Sequence, residues 1–290
     1  VNSREYKRMA MNAVLDERTL REIYLTAFEI AVKEAKAKSI MSAYNEINGE
    51  YANENYHVLV DILRNEWGFD GIVVTDWGAS NDHVLGAKCQ SNVEMPNPGL
   101  DSAREVVAAV NSGKMTMAEL DTAITPLLEA VLYFRTVKKE EGIREEEHHA
   151  AARKAAAASA VLLKNDGGIL PLKAGTKVAV IGDFAVTPRY QGAGSSVVNA
   201  TKVESIQSVI SEYDLKLAGI EAGYARNTTE LVKENLDKAI ALAKDSDVVL
   251  YFFGLDEISE SEGADRTHMK LPKVQSELLE KLAAANSKIV

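Results

Sequence analysis

Apolar residues follow two spacings in the first half of the chain. Apolar positions three or four residues apart predict helices over residues 17–32, 55–67, 79–88, 106–111 and 118–134. Short apolar runs predict strands over residues 39–44, 72–75 and 92–95. Strand and helix patterns therefore alternate, which is typical of a (β/α) barrel, and about three strands are too few to close one.

The second half of the chain shows the same alternation in a separate segment. Its apolar runs and helical spacings predict strands and helices over residues 178–181, 230–243, 248–253 and 274–285. Residues 136–175 have the composition of a connector. Its charge-dense stretch at 138–147 predicts a solvated helix surface, and its alanine-rich stretch at 149–163 predicts a helix or a helix–strand junction. The pattern thus predicts two α/β units joined by a connector.

Composition excludes several classes of function. The net charge of -10 argues against nucleic acid as a partner, because no basic patch is available to neutralise phosphates. The longest apolar runs are too short to span a bilayer. The single cysteine, Cys89, excludes an internal disulfide and a Cys-based metal site, and the five histidines lack metal-ligand spacing. One cysteine is compatible with the cytoplasm without requiring it, so the location stays open, with the cytoplasm preferred to secretion.

Asp76 and Trp77 stand at the end of the apolar run Ile72–Thr75, which predicts a fully buried parallel strand. Ligands and catalytic groups gather at the C-terminal ends of such strands. A carboxylate followed by an indole suits a sugar site, since it provides a nucleophile and a flat apolar face for a pyranose ring. An aspartate after a strand is also a common helix N-cap, and the spacing alone leaves both interpretations open.

A second acidic segment, Glu260–Arg266, follows the predicted strand at 248–253. Crowded carboxylates favour protonation of one of them, and a protonated glutamate is what general acid catalysis requires. Arg266 offers a counter-charge for the others. The alternative is an acidic surface loop without a catalytic role.

Three further segments are candidates for binding. Gly192–Ser196 is rich in glycine and serine but lacks the spacing and the lysine of a phosphate-binding loop, so a loop that shapes a domain interface is favoured over a nucleotide site. Glu94 and Met95 lie at one predicted strand end, and Tyr44 lies with Asn45 at another. If the barrel is correct, these groups are candidates to contact a sugar.

Nine segments, in order along almost the whole chain, resemble family 3 glycoside hydrolases of the β-glucosidase type. They are Asp16–Leu25, Met41–Gly49, Leu63–Gly71, Thr75–Ala79, Glu94–Pro96, Val161–Asn165, Leu170–Leu172, Gly192–Ser196 and Glu260–Arg266. The resemblance implies an α/β fold in which a TIM-type barrel is followed by an α/β sandwich, with the active site between the two domains. Residues 1–135 would be the C-terminal part of the barrel, 136–175 the connector and 176–290 the N-terminal part of the sandwich.

The resemblance also implies roles for particular residues. Asp76 matches the nucleophile and Glu262 the acid/base, with Glu260 as the fallback. Trp77, Tyr44, Glu94 and Met95 would contact the substrate. The implied reaction is exo-acting hydrolysis of terminal β-D-glucosyl residues with retention, on a β-glucoside or a cello-oligosaccharide, without metal or organic cofactor. A tryptophan after the nucleophile favours a β-glucosidase over a β-xylosidase.

The chain departs from the family pattern in two places. Gln90 and Asn92 stand where the family has glycine and aspartate, which puts the strand geometry near the site in question. The Lys-His segment of the family would precede residue 1, so an internal fragment with an open barrel is expected. A β-xylosidase, or a carbohydrate-binding fragment without catalysis, therefore remains an alternative, and oligomeric state and the activity of this chain alone stay open.

Overall fold

A computed structural model describes residues 1–138, 142 and 144–290. The chain divides into two compact units, Val1–Glu141 and Gly142–Val290. The charge-dense stretch expected to be a solvated helix surface lies partly outside the described residues. Within the described part, the alanine-rich prediction corresponds to a helix over Glu145–Ala158. The proposed domain boundaries stay a prediction.

The first unit contains short strands and mostly longer helices. In chain order its elements are β1 (Asn12–Ala13), α1 (Glu17–Thr19), a π-helical segment (Leu20–Tyr24), α2 (Thr26–Lys33), β2 (Ser39–Met41), β3 (Glu46–Ile47), β4 (Glu50–Tyr51), a second π-helical segment (His57–Glu66), β5 (Ile72–Val74), α3 (His83–Lys88), α4 (Asp101–Asn111) and α5 (Met117–Thr136). The predicted helices are present, and the one expected after Asp16 is divided by a π-helical segment.

The parallel pair β2–β5 is the centre of the first unit. Ser39 pairs with Ile72 and Met41 with Val74, and a single bridge joins Val74 to Val93. The strand predicted at 92–95 is wrong as a regular strand, because the Asn92 side chain occupies the ladder: its Oδ1 accepts the Val73 N–H at 2.6 Å. The Asn92 side chain thus replaces a backbone acceptor at the position where the chain departs from the family pattern, while the Asn92 and Val93 N–H groups still donate to the Val73 carbonyl at 2.9 and 3.1 Å.

Burial of β5 is one-sided, so the prediction of a fully buried strand was wrong. Val73 is completely buried and packs with Leu59, Leu63, Phe69 and Cys89. The neighbouring residues of β5 are half-buried, because successive side chains of a strand point to opposite faces of the sheet.

The second unit is a three-stranded parallel sheet with helices. Its elements are α6 (Glu145–Ala158), β6 (Thr176–Ile181), a 3₁₀ turn (Asp183–Ala185), α7 (Ile206–Val209), a second 3₁₀ turn (Ile210–Glu212), β7 (Leu215–Glu221), α8 (Lys233–Lys244), β8 (Val248–Tyr251) and α9 (Lys273–Ala285). The strand order is β7-β6-β8, with every pair parallel.

Strand β6 lies at the middle of this sheet, and its last four residues are buried. Strand β7 was missed by the sequence analysis, because its residues are at best half-buried and the apolar run is interrupted by Lys216 and Gly219. Beyond α9, Ile289 forms a parallel bridge with Val249 of β8. The parallel arrangement directs the C-terminal ends of β6 and β8 to one edge, where the acidic segment begins.

Candidate active site

Asp76 lies two residues beyond β5 and is half-buried. Its Oδ1 accepts the N–H of Trp77 at 2.7 Å. It does not cap the next helix: α3 begins at His83, and its N-cap is Asp82, whose side chain accepts the Leu85 N–H at 2.8 Å. The simplest structural explanation for an aspartate at this position is therefore wrong.

Trp77 and Met95 lie on adjoining loops at the same edge of the sheet. Thr75 joins the loops, since its Oγ1 accepts the Met95 N–H at 2.8 Å and donates to the Met95 carbonyl at 3.2 Å. The Gly78 N–H also donates to that carbonyl, at 2.7 Å. The indole of Trp77 is 60% exposed, so a flat apolar surface is available beside Asp76.

Glu94 is half-buried and paired with a residue that the sequence did not point to. The Nδ1 atom of His83 lies 3.2 Å from Glu94 Oε2 and 3.1 Å from Ser80 Oγ. Both residues line a cavity of about 410 Å³ whose far wall comes from α4 and α5. The sequence could not predict this contact from a single histidine at the start of a helix. The pairing of His83 with Glu94 depends on how the chain after α3 turns back to the edge of the sheet.

Tyr44 follows β2 at the same edge of the β2–β5 pair. The guanidinium carbon of Arg8 lies 5.3 Å from the centre of its ring, within the range of a cation–π contact. Asn45 is fully buried and donates to the carbonyls of Val1 and Glu46 at 2.9 and 2.8 Å. Asn45 is therefore a structural residue, whereas Tyr44 remains a candidate to contact a ligand.

In the second unit, the glycine-rich loop binds the candidate acid/base. Glu262 Oε2 accepts the Ser195 N–H at 2.5 Å, and the Glu262 N–H donates to the Ala193 carbonyl at 3.0 Å. A Cβ on Gly194, which has φ +105°, would lie 2.5 Å from the Cβ of Glu262. Glycine permits this close approach because it has no side chain. The contact with Glu262 therefore explains the glycine at this position, and phosphate binding is not needed to explain it.

Arg189 supplies a counter-charge in the acidic segment that the sequence analysis missed, whereas the role of Arg266 stays a prediction. Arg189 Nη2 contacts Glu260 Oε2 at 2.5 Å and the Glu260 carbonyl at 2.8 Å, while Nη1 donates to the Leu255 carbonyl at 3.1 Å. Arg266 donates to the carbonyl of Lys270 at 3.3 Å. An arginine 71 positions away pairs with Glu260 because the loops after β6 and β8 meet at one edge of the sheet.

Among the described residues, no group of three or more histidine, cysteine, aspartate or glutamate side chains is arranged to hold a metal ion. None of the described helices has the length and apolar character needed to cross a membrane.

Comparison with known proteins assigns the chain to a family. Residues 9–130 match the model of the glycosyl hydrolase family 3 N-terminal domain, and residues 160–290 match that of the family's C-terminal domain. The chain therefore belongs to glycoside hydrolase family 3, as its motifs indicated.

Relatives and solved structures give this assignment detail. The chain is 41% identical to thermostable beta-glucosidase B of Acetivibrio thermocellus over an alignment of 292 residues. The alignment covers all of this chain and 39% of that protein. It is also 41% identical to an exo-α-(1→6)-L-arabinopyranosidase of Bifidobacterium breve, again over all of this chain and 39% of the relative. The chain thus spans about two-fifths of the length of these relatives.

The structure superimposes on a Bifidobacterium adolescentis family 3 beta-glucosidase with a TM-score of 0.92 at 39% identity, covering 100% of this chain and 42% of the other. For beta-glucosidase 3B from Thermotoga neapolitana in complex with glucose, the TM-score is 0.85 at 30% identity, covering 98% of this chain and 44% of the other. These similarities confirm the predicted fold class, α/β with part of a barrel followed by part of a sandwich domain.

Proposed function

We propose that this chain supplies the catalytic carboxylates of a retaining, exo-acting β-glucosidase. The observation that supports the proposal most directly is Asp76, a half-buried aspartate at a strand end that caps no helix and lies beside an exposed indole. The names of several relatives, beta-glucosidases in both comparisons, point to the same activity.

The proposed reaction has two steps. Asp76 attacks the anomeric carbon while protonated Glu262 gives its proton to the leaving oxygen, and a covalent glycosyl-enzyme forms. Glu262 then takes a proton from the water that hydrolyses this intermediate. The Ser195 N–H, which donates to Glu262 Oε2 at 2.5 Å, holds this carboxyl group against the glycine-rich loop. Glu260, which pairs with Arg189, stays the fallback for this role.

The relatives suggest a second candidate substrate. Exo-α-(1→6)-L-arabinopyranosidases match the chain as well as a beta-glucosidase does. Trp77 argues against the β-xylosidase alternative. We therefore propose terminal β-D-glucosides as substrates, with α-L-arabinopyranosides as the class to be compared with them.

A fluorinated glucoside that traps the glycosyl-enzyme tests the nucleophile. In the longest natural polypeptide that contains residues 1–290, mass spectrometry should find the label on the peptide with Asp76, and Asp76→Ala should abolish labelling and turnover. Asp70→Ala is the matched control, since Asp70 lies at the other end of β5 and pairs with Lys38. Turnover retained in Asp76→Ala would refute the assignment. Rates on nitrophenyl β-glucoside, β-xyloside and α-L-arabinopyranoside then identify the glycone.

A further inference from the structure

The segment Asn53–Asn55 is a buried polar cluster beneath the edge of the sheet that carries Asp76. Its three residues are all at least nine-tenths buried. Asn53 Oδ1 accepts from Ser42 Oγ at 3.0 Å and from Ser91 Oγ at 2.8 Å. Ser42 follows β2, and Ser91 precedes the segment that leads to Glu94. Asn53 therefore joins the loop after β2 to the segment that leads to Glu94.

Glu54 joins the third loop, the one that begins with Asp76 and Trp77. Its Oε1 accepts the N–H of Asn81 at 2.8 Å and the N–H of Asp82 at 3.2 Å. The backbone of Glu54 is also held, because its carbonyl accepts from the buried thiol of Cys89 at 3.2 Å. One carboxylate oxygen thus fixes the end of the loop between Asp76 and α3.

The environment of Glu54 is costly for a carboxylate. The side chain is 5% exposed, and its Oε2 atom is buried without a hydrogen-bond partner among the described residues. Burial of an incompletely bonded charge destabilises a fold, and an apolar residue of similar size avoids that cost. Global stability is therefore a poor explanation for a glutamate here, whereas two charge-assisted bonds to one loop give it a local role.

We propose that Glu54 is a positioning residue for the proposed nucleophile. By anchoring the N–H groups of Asn81 and Asp82, it fixes the loop of residues 77–82 and so the orientation of Asp76 and Trp77 toward a bound sugar. The inference rests on the proposed function, since it assigns Glu54 to the same site. It predicts that loss of the anchor lowers kcat more than it raises KM, because a misplaced nucleophile harms the transition state more than ground-state binding.

The test compares two Glu54 variants with a matched control. Glu54→Leu removes the acceptor, and Glu54→Gln keeps an acceptor oxygen without the charge. Glu119→Gln is the control, because Glu119 is also a carboxylate that accepts backbone and side-chain bonds, from Thr116 at 2.7 and 2.9 Å, at the start of α5. All are made in the longest natural polypeptide that contains the chain. Kinetics, trapping by the fluorinated glucoside and amide hydrogen exchange are measured.

For Glu54→Leu we expect kcat and the trapping rate to fall about 10-fold to 100-fold, with KM changed far less. Exchange at Asn81 and Asp82 should become faster, while the core amides of β5 stay protected. Glu54→Gln should fall between Glu54→Leu and wild type, and Glu119→Gln should keep wild-type kcat. Unchanged exchange at Asn81 and Asp82 in Glu54→Leu, or a kcat loss shared with Glu119→Gln, would overturn the inference.

Failure of the proposed function has a different result. In that case wild type itself would show neither turnover nor label at Asp76, and the exchange data would still decide whether Glu54 anchors the loop. If Glu54→Leu does not fold, both kcat and the amide exchange of the loop are measured on Glu54→Gln instead. Normal kcat and normal loop exchange in a folded Glu54→Gln would then count against the anchor.

Discussion

Gln90 has a left-handed backbone conformation, with φ +61°, at a position where the family pattern has glycine. A side chain in this region costs about 1–2 kcal/mol relative to right-handed or extended backbone. The turn is nevertheless retained, since the Gln90 carbonyl accepts from Arg64 Nη2 at 2.9 Å. The departure from the family pattern therefore changes the strain in this turn, without removing the turn.

Replacing this residue by glycine should stabilise the protein. We expect Gln90→Gly to raise the free energy of unfolding by about 1 kcal/mol, because glycine adopts positive φ without steric cost. Urea denaturation of the two proteins measures the difference. Gln90→Ala, which keeps the strained backbone, should give no gain, and an equal gain from both variants would contradict this explanation.

Asp256, a buried residue between β8 and the acidic segment, makes the stability of the protein depend on pH. Burial would by itself raise the pKa of Asp256, but the N–H groups of Ser259 and Ile258, which donate to its Oδ1 at 2.7 and 3.2 Å, stabilise the carboxylate and keep the pKa below its usual value. A lowered pKa contributes stability above the unfolded-state pKa of about 3.9 and loses it as the pH falls through the folded-state value.

We therefore expect wild type to lose stability more steeply than Asp256→Asn as the pH falls below about 4. The asparagine oxygen can still accept from Ser259, so the turn remains while the titration disappears. Thermal unfolding of both proteins between about pH 2.5 and 6 measures the slopes. Parallel curves would show that Asp256 makes no pH-dependent contribution.

At the scale of the elements, the end of β6 lies close against the segment that follows β8. Gly182 has φ +121°, and a Cβ on it would lie within bonding distance of the Phe252 carbonyl, just beyond β8. Its N–H donates to the Glu221 carbonyl at the end of β7. One glycine thus lets all three parallel strands end together, at the edge where Asp183 and the acidic segment follow.

A methyl group at this position should disrupt the sheet. We expect Gly182→Ala to destabilise the chain by about 2–4 kcal/mol, because it combines a clash with a backbone conformation that alanine avoids. Gly254→Ala is the matched control, since a Cβ there has no atom within 4 Å and Gly254 has no positive φ. Similar losses of unfolding free energy in both variants, measured by urea denaturation, would contradict the steric explanation.

At the scale of the whole molecule, helix α5 is one of the places where large apolar side chains are exposed. The side chains of five of its residues are between 50 and 70% exposed, namely Leu128, Val131, Leu132, Tyr133 and Phe134. Exposed apolar side chains of this kind promote association, since water is released when they are covered. The exposed side chains of α5 therefore predict that the isolated chain is poorly soluble.

We expect residues 1–290 alone to self-associate at micromolar concentration and to bind a fluorescent apolar dye. Leu132→Glu should lower both effects, because it places a charge among the apolar side chains. Met117→Glu is the control, as Met117 is 56% exposed on the same helix but in its first turn. Light scattering of the three proteins measures association, and a monomeric wild type would contradict the prediction.

The amino-acid sequence alone determined most of the helices, the parallel strands β2, β5, β6 and β8, and the strand-end positions of Asp76 and the acidic segment, because periodicity and capping act within about a dozen residues. Only the tertiary structure decided the partners of the polar groups. Asp82 caps α3, Glu54 anchors a loop 27 residues away, and Arg189 pairs with Glu260 across 71 residues. Such contacts depend on which loops the parallel strands bring to one edge, and local spacing carries no information about that.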